Sequence, residues 1–444
     1  DLKARQQIAG NIVAGSLDDF VDAIDADVVA IGNNPIGLRD IDIFVQGTPG
    51  AGGAPTPGFG DFSIRQTIPG PSGSGVLQPF DAALADFDND GDLDLVEVRI
   101  KFNATLPPNG AAFGIHRNDL PATNSFTNVT ASWPVLPAFP VGTQLGFVAA
   151  ADMDLDGDMD MVVTEVFDNL LANPPLTQVH LLRNTTTAGV PSFTRQTIYT
   201  FGTQFTNASD LAVGNLDGNA LPDVVLSTTG LALGALSQVL LTQATGGAFN
   251  VLLQPPPAAL SGNVRGSSLD LADVNGDGDG DPVFTFESSG APAGTDRLYV
   301  LQNGGGGNYV WAAVPGTDTY SFDVNYIDAD QDGQIDLASI GTIPAGVGLR
   351  MHLQMLSVFV NVSPGSASPR VASPLSGSLA DVQPADIDMD GDVDVLGAYP
   401  VASGLAENVT AWINHIRQSD APATVGLNTT WNMEASARTQ MPAD

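Results

Sequence analysis

Cysteine is absent from the 444 residues, so no disulfide holds this fold together, and the absence by itself does not assign a compartment. Cations are scarce: 15 Lys and Arg stand against 50 Asp and Glu, a formal charge of −35. A chain so poor in basic side chains has no patch to meet phosphates, which argues against nucleic acid and against an anionic membrane surface as partners. No apolar window of about 18 residues occurs, so no transmembrane helix is expected. Long helical periodicity is missing as well. Catalytic signatures are equally thin. There is no His-Glu-x-x-His pair, no Gly-x-Ser-x-Gly elbow and no phosphate-cradling glycine loop ahead of a helix. The four histidines, His116, His180, His352 and His415, fall in corresponding segments of four different repeats and read as ordinary strand residues. A non-enzymatic protein is therefore expected. The chain begins at Asp1 with neither a methionine nor a signal-peptide pattern, as a processed mature form would.

What the sequence has in abundance is aspartate at alternate positions. In "ADFDNDGDLDLVEV", Asp86, Asp88, Asp90, Asp92 and Asp94 fall within nine residues and Gly91 breaks the alternation. Carboxylates this close repel one another unless a cation gathers them. Calcium takes six to eight oxygens at roughly 2.3–2.6 Å, and a loop offering side chains at positions 1, 3, 5 and 9 and a carbonyl at 7 can surround it, whereas magnesium prefers octahedral sites that keep several waters. Read to Glu97, the stretch also matches the EF-hand pattern. The remaining copies decide against that reading. They are Asp152, Asp154, Asp156, Asp158 and Asp160; Asn215, Asp217, Asn219, Leu221 and Asp223; and Asp273, Asn275, Asp277, Asp279 and Asp281. Two more are Asp328, Asp330, Asp332, Gln334 and Asp336, and Asp386, Asp388, Asp390, Asp392 and Asp394. Position 12 of these holds Val163, Leu226, Phe284, Ser339 and Gly397, so the shared acid is at position 9. The Asn215 loop is the weakest candidate, because Asn215 and Asn219 remove charge and Ala220 replaces the glycine.

The loops recur about every 60 residues, a period that marks a repeat array. Each unit runs from an apolar segment into the loop, then through a run such as Met161-Val162-Val163, a segment such as "QVHLLRN", and another such as "PSFTRQTIY". These short runs, rich in β-branched and aromatic residues and bounded by Gly, Pro and Asn, predict strands. "NGGGGN" at Asn303 to Asn308 predicts a hairpin turn. The expected fold is all-β: one seven-bladed β-propeller of four-stranded antiparallel blades with calcium-binding hairpin loops. The repeats fall near 8–70, 76–138, 142–201, 205–257, 264–316, 318–375 and 378–432, with a tail over 433–444. The first is degenerate, and its Asp18, Asp22, Asp25 and Asp27 are assigned no metal.

The loop-strand unit, as in "LGFVAAADMDLDGDMDMVV" and "SLADVQPADIDMDGDVDVLGAY", resembles the FG-GAP or VCBS-type repeat of integrin alpha-subunit propellers and of many secreted bacterial proteins. The resemblance covers nearly all of the chain and implies calcium in the hairpin loop between the first two strands of a blade. Thrombospondin-type calcium arrays share the aspartate string but space their loops more closely.

About six calcium ions are thus expected, in a secreted or cell-surface protein where weak sites fill at millimolar calcium. The function expected is adhesion, recognition or assembly of a surface structure. The alternatives are a self-assembling filament or surface-layer subunit, and a carbohydrate-binding protein or polysaccharide lyase. The partner is then a protein or neighbouring copies of the chain, or a glycan. On the face opposite the metal loops, Pro107, Pro108, Trp133, Phe139, Pro174 and Pro175 are candidate contact residues, because stiff loops lose little entropy on contact and aromatic groups anchor interfaces. Seven Asn-x-Ser/Thr sequons, at Asn103, Asn128, Asn184, Asn207, Asn361, Asn408 and Asn428, are compatible with a surface protein.

Overall fold

The computed structural model describes residues 8–10, 28–33, 39–46, 62–71, 77–91, 93–100, 112–118, 126–130, 139, 143–166, 176–186, 191–202, 206–230, 235–292, 294–317, 321–329, 332–343, 346–355, 358–362, 381–385, 393–400, 407–414 and 433–436. Every regular element among them is a strand. The strands are β1 (Ile8–Gly10), β2 (Val28–Asn33), β3 (Arg39–Gln46), β4 (Phe62–Ile68), β5 (Gln78–Ala85), β6 (Asp94–Ile100), β7 (Phe113–Asn118) and β8 (Phe126–Asn128). They continue with β9 (Gln144–Ala151), β10 (Asp160–Val166), β11 (Gln178–Asn184), β12 (Phe193–Thr200), β13 (Thr206–Gly214), β14 (Asp223–Gly230), β15 (Gln238–Gln243) and β16 (Phe249–Gln254). Next come β17 (Val264–Ala272), β18 (Asp281–Ser288), β19 (Leu298–Asn303), β20 (Tyr309–Ala313), β21 (Ser321–Ile327), β22 (Asp336–Ile343), β23 (Gly346–Met355) and β24 (Val358–Val362). The last four are β25 (Asp381–Ala385), β26 (Asp394–Pro400), β27 (Glu407–Asn414) and β28 (Met433–Ser436).

Four consecutive strands make each sheet, paired antiparallel in chain order, from β1–β4 through β25–β28. The alternation of short apolar runs with turn residues is realised strand for strand, with one difference at the end. The final strand pairs as Met433–Ser436 against β27, inside the stretch expected to be a tail, while "ATVGLNTTW" lies outside the described residues. Glycines supply the turn at Asn303–Asn308, where Gly305, Gly306 and Gly307 hold φ of 75°, 63° and 82° and the Gly304 N–H donates to the Asn308 carbonyl.

The chain forms two compact units, one of Gly70–Ala313 and one of Asp1–Pro69 with Val314–Asp444. In the first, β9 packs on β5 and β6, β13 on β9 and β10, and β17 on β13 and β14, so each first strand lies against the first two strands of the preceding sheet. In the second unit β25 packs on β21 and β22, and β1 packs on β25 and β26, so the N-terminal sheet follows the C-terminal one in the same manner.

Packing on both faces explains the composition of the middle strands. β6 is buried at every position, and β19 carries the buried run Leu298, Tyr299, Val300 and Leu301, whereas the fourth strands β12 and β16 alternate with solvent. The cores lie between successive sheets. Phe87, Val96, Phe113, Ile115, Val148, Met161 and Phe193 form one cluster, and Leu216, Val225, Leu240, Leu269, Phe284 and Leu301 form part of another. Burial of each such side chain contributes about 1.5–3 kcal/mol.

Candidate metal centres

Five of the six aspartate loops fall largely within the described residues, each joining the first strand of a sheet to the second. Asp92, Asp330, Asp386, Asp388, Asp390 and Asp392 lie outside them, and Asp394 is placed only as the first residue of β26.

Each described loop is pinned at both ends by the same two devices. Position 2 carries an apolar side chain turned inward: Phe87, Met153, Leu216, Val274 and Ala329 are all buried. Position 9 carries the buried carboxylate of Asp94, Asp160, Asp223, Asp281 or Asp336. One oxygen accepts the position-2 N–H, from Phe87 (3.2 Å), Met153 (3.0 Å), Leu216 (2.6 Å), Val274 (3.1 Å) and Ala329 (2.9 Å). The other accepts the N–H at the end of the third strand, from Asn118 (2.9 Å), Asn184 (2.7 Å), Gln243 (2.6 Å), Asn303 (2.6 Å) and Gln354 (2.7 Å). The position-9 acid is thus a structural clamp as well as a candidate ligand, a role the spacing alone did not expose.

Between these anchors the chain curls back on position 1. Asp86 accepts the Asp90 and Gly91 N–H groups at 3.1 and 2.9 Å, and Asp152 accepts those of Asp156 and Gly157 at the same distances. The curl needs positive φ at position 6, met by Gly91 (99°) and Gly157 (94°), and at position 4, where Asn89 (59°) and Leu155 (61°) adopt it without being glycine. In the Asn215 loop, Gly218 takes φ 73° at position 4, which accounts for the glycine displaced from position 6.

The result is convergent carboxylates. Oxygens of Asp86, Asp88 and Asp94 lie within 4.8 Å of one another, as do those of Asp152, Asp154 and Asp156. Burial, reinforced by Asp90 and Asp86, pushes Asp88 up to about 6. Burial is also the largest influence on the position-9 acids: Asp94 rises to about 8, Asp160 to about 7, and Asp223 and Asp281 to about 6, despite the backbone donors that oppose it. A cation held among these groups would favour their charged forms. Two oxygens, Asp88 Oδ1 and Asp328 Oδ1, are buried with no hydrogen-bond partner. A hard divalent cation is what such oxygens fit, and oxygen-only donors are the ligands of calcium.

The loops differ in readiness. Asp154 is paired with Arg183, which a cation would have to displace or share. Asn215 Oδ1 accepts from Gly218 (3.0 Å) and its amide donates to the Gly278 carbonyl (3.3 Å), while Asn219 accepts from Leu221 N–H (2.6 Å) and donates to the Gln243 carbonyl (3.0 Å). That loop closes itself with amides where the others gather acids. Gln334 donates both its backbone and side-chain N–H groups to Asp332, leaving its own carbonyls as the position-7 donors.

The histidines are internal. His116 meets Glu97 at 3.1 Å, His180 meets Glu165 at 3.2 Å and Thr197 at 3.1 Å, and His352 meets Ser339 at 3.4 Å; His415 lies outside the described residues. Burial would raise the Glu97 carboxyl, but the hydrogen bond from His116 and the Arg99 guanidinium hold it below its ordinary value. Gly114 leaves the space this triad occupies, since a Cβ there would meet Arg99 and Glu97.

Of the candidate contact residues, Pro107, Pro108, Trp133, Pro174 and Pro175 lie outside the described residues. Phe139 is half-buried. Its ring stands edge-to-face against Phe113 (6.0 Å) and His180 (5.4 Å), with the Arg195 guanidinium 4.8 Å from its centroid. It packs as part of the core beneath it, so Phe139→Ala is expected to lower unfolding stability by about 2 kcal/mol in urea titrations, somewhat below the loss for a fully buried phenylalanine. Two sequons are excluded as glycan sites by burial. Asn184 and Asn207 are both inaccessible and donate side-chain N–H groups to the Phe87 and Ala208 carbonyls, whereas Asn128 is exposed.

No family model matches the chain, and no curated protein matches it. Among solved structures it is similar to an exotype rhamnogalacturonan lyase, YesX, at 13% identity and a TM-score of 0.38, over 88% of this chain and 64% of that one. The chain spans less than two thirds of that lyase's length, and at this score the likeness carries no argument about activity.

Proposed function

We propose that the chain is a calcium-stabilised β-propeller, a single domain of FG-GAP or VCBS type, that works outside the cell in adhesion, recognition or assembly of a surface structure and has no enzymatic role. The observation that carries the metal reading is the buried, unpartnered Asp88 Oδ1 within a loop whose acids already converge, as three acids of the Asp152 loop also do. The meander sheets, and the way β1 follows the C-terminal sheet, support the propeller. Among the described residues, the three histidines are buried in strand pairs, which supports a binding role over catalysis. Calcium is the cation because the loops offer oxygen alone, from side chains at positions 1, 3, 5 and 9 and a carbonyl at 7, close to the six to eight oxygens that calcium takes.

Native mass spectrometry tests the metal reading. Asp156→Ala removes a position-5 carboxylate and is expected to lower the bound calcium count by one, with a smaller effect for Asn219→Ala in the self-closed loop. An unchanged count for Asp156→Ala refutes the assignment. Electron microscopy of the native material separates the biological readings: single rings favour recognition of a separate partner, and polymers favour a self-assembling subunit.

A further inference from the structure

Resting on the calcium reading, we infer that neighbouring loops are coupled in pairs by an asparagine at the end of the third strand, and that Asn184 and Asn303 are the positioning residues of this coupling. Asn184 donates its backbone N–H to Asp160 Oδ1 (2.7 Å) and its side-chain amide to the Phe87 carbonyl (2.8 Å) of the preceding loop. Asp160 in turn accepts the Met153 N–H, and Phe87 donates its own N–H to Asp94 (3.2 Å). Three hydrogen bonds, linked through the covalent frames of Phe87 and Asn184, therefore join the position-9 acid of the Asp86 loop to that of the Asp152 loop. Thr186 adds its hydroxyl to the same Phe87 carbonyl at 3.2 Å.

A second contact runs alongside. Position 7 binds a cation through its carbonyl, which leaves the Asp158 side chain free; its two oxygens accept from Asn89 Nδ2 of the preceding loop and from the Thr186 N–H, both at 2.6 Å. The Phe87 carbonyl shares a peptide unit with the N–H of Asp88, so holding that carbonyl orients the backbone that carries Asp88 into the site.

The device recurs once more in the same unit. Asn303 donates its N–H to Asp281 (2.6 Å) and its amide to the Leu216 carbonyl (2.7 Å) of the Asn215 loop, while the Gly280 N–H reaches the Asn215 carbonyl at 2.7 Å. Between these pairs stands Gln243. Its N–H serves Asp223 as in the other sheets, but its side-chain oxygen is buried without a partner. Glutamine is one methylene longer than asparagine, and among the described residues no hydrogen bond runs from its side-chain amide to the Asp152 loop. The Asp86 and Asp152 loops thus form one coupled pair, and the Asn215 and Asp273 loops another, with no relay through Gln243.

Coupling means that a cation in one loop alters the affinity of its neighbour, typically by 5-fold or more. The Gly91, Gly157 and Gly218 amides of glycine-labelled protein report each loop separately by NMR during calcium titration. Asp156→Ala is expected to raise the calcium midpoint at Gly91 about tenfold, and Asn184→Gln to do the same at Gly91 with the fold intact, since glutamine already stands at the matching position 243. Their combination is expected to add nothing further. Asn303→Gln is expected to shift Gly218 and leave Gly91 alone. An unchanged Gly91 midpoint in either single variant, while calcium still binds, overturns the coupling. So does an equal shift of all loops in Asn184→Gln, which would mark general destabilisation. No response of Gly91 to millimolar calcium in the unmodified protein removes the calcium reading itself.

Discussion

In millimolar calcium the protein is expected to melt far above its melting temperature in EDTA. The unfolded chain holds no preformed site, so each bound ion adds its binding free energy to folding, about 2.7 kcal/mol at a hundred times the dissociation constant. Four filled loops would then contribute on the order of 10 kcal/mol, comparable to the whole stability of an ordinary domain. The physical source is local. The Asp86 loop folds with Asp88 and Asp94 buried beside Asp86, and without a cation those groups must remain protonated or bear their mutual repulsion. Calorimetry in EDTA and in calcium reads the difference, and coincident melting curves would end the calcium interpretation.

The second large effect separates the two jobs of a loop acid. Asp281→Ala removes a fully buried carboxylate and leaves the Val274 and Asn303 N–H groups without their acceptor. Each buried donor so orphaned costs about 1–3 kcal/mol, so the variant is expected to lose about 2–6 kcal/mol even in EDTA. Asp277→Ala, at exposed position 5 of the same loop, gives up only a surface acceptor for the Asp279 N–H and is expected to melt within about 0.5 kcal/mol of the parent in EDTA. In calcium it should fall behind, because its ligand is gone. Equal behaviour of the two variants in EDTA would show that the position-9 carboxylate is only a ligand and clamps nothing.

Much of this molecule is legible in its sequence, because its defining features are local. Alternating acids around Gly91 or Gly157 specify a curled loop within nine residues, and the flanking runs, Val162-Val163 or Val224-Val225-Leu226, have the composition of strands covered on both faces. The period of about 60 residues then forecast a meander of four strands per repeat, which the sheets follow. Such signals survive in one dimension since every group involved is a near neighbour in sequence.

What the sequence by itself determined, then, is the all-β repeat and the places of its acidic loops between the first and second strands of each sheet. Tertiary structure alone decided what each of those groups touches. It placed the last strand at Met433–Ser436, sealed Asn184 and Asn207 away from any glycan, and turned Phe139 against Phe113 and His180. It also made Asn184 a bridge to Phe87, 97 residues away in the chain. Burial and partnership depend on which sheet lies against which, and an asparagine at a strand end looks the same in sequence whether its amide meets water or a neighbouring loop.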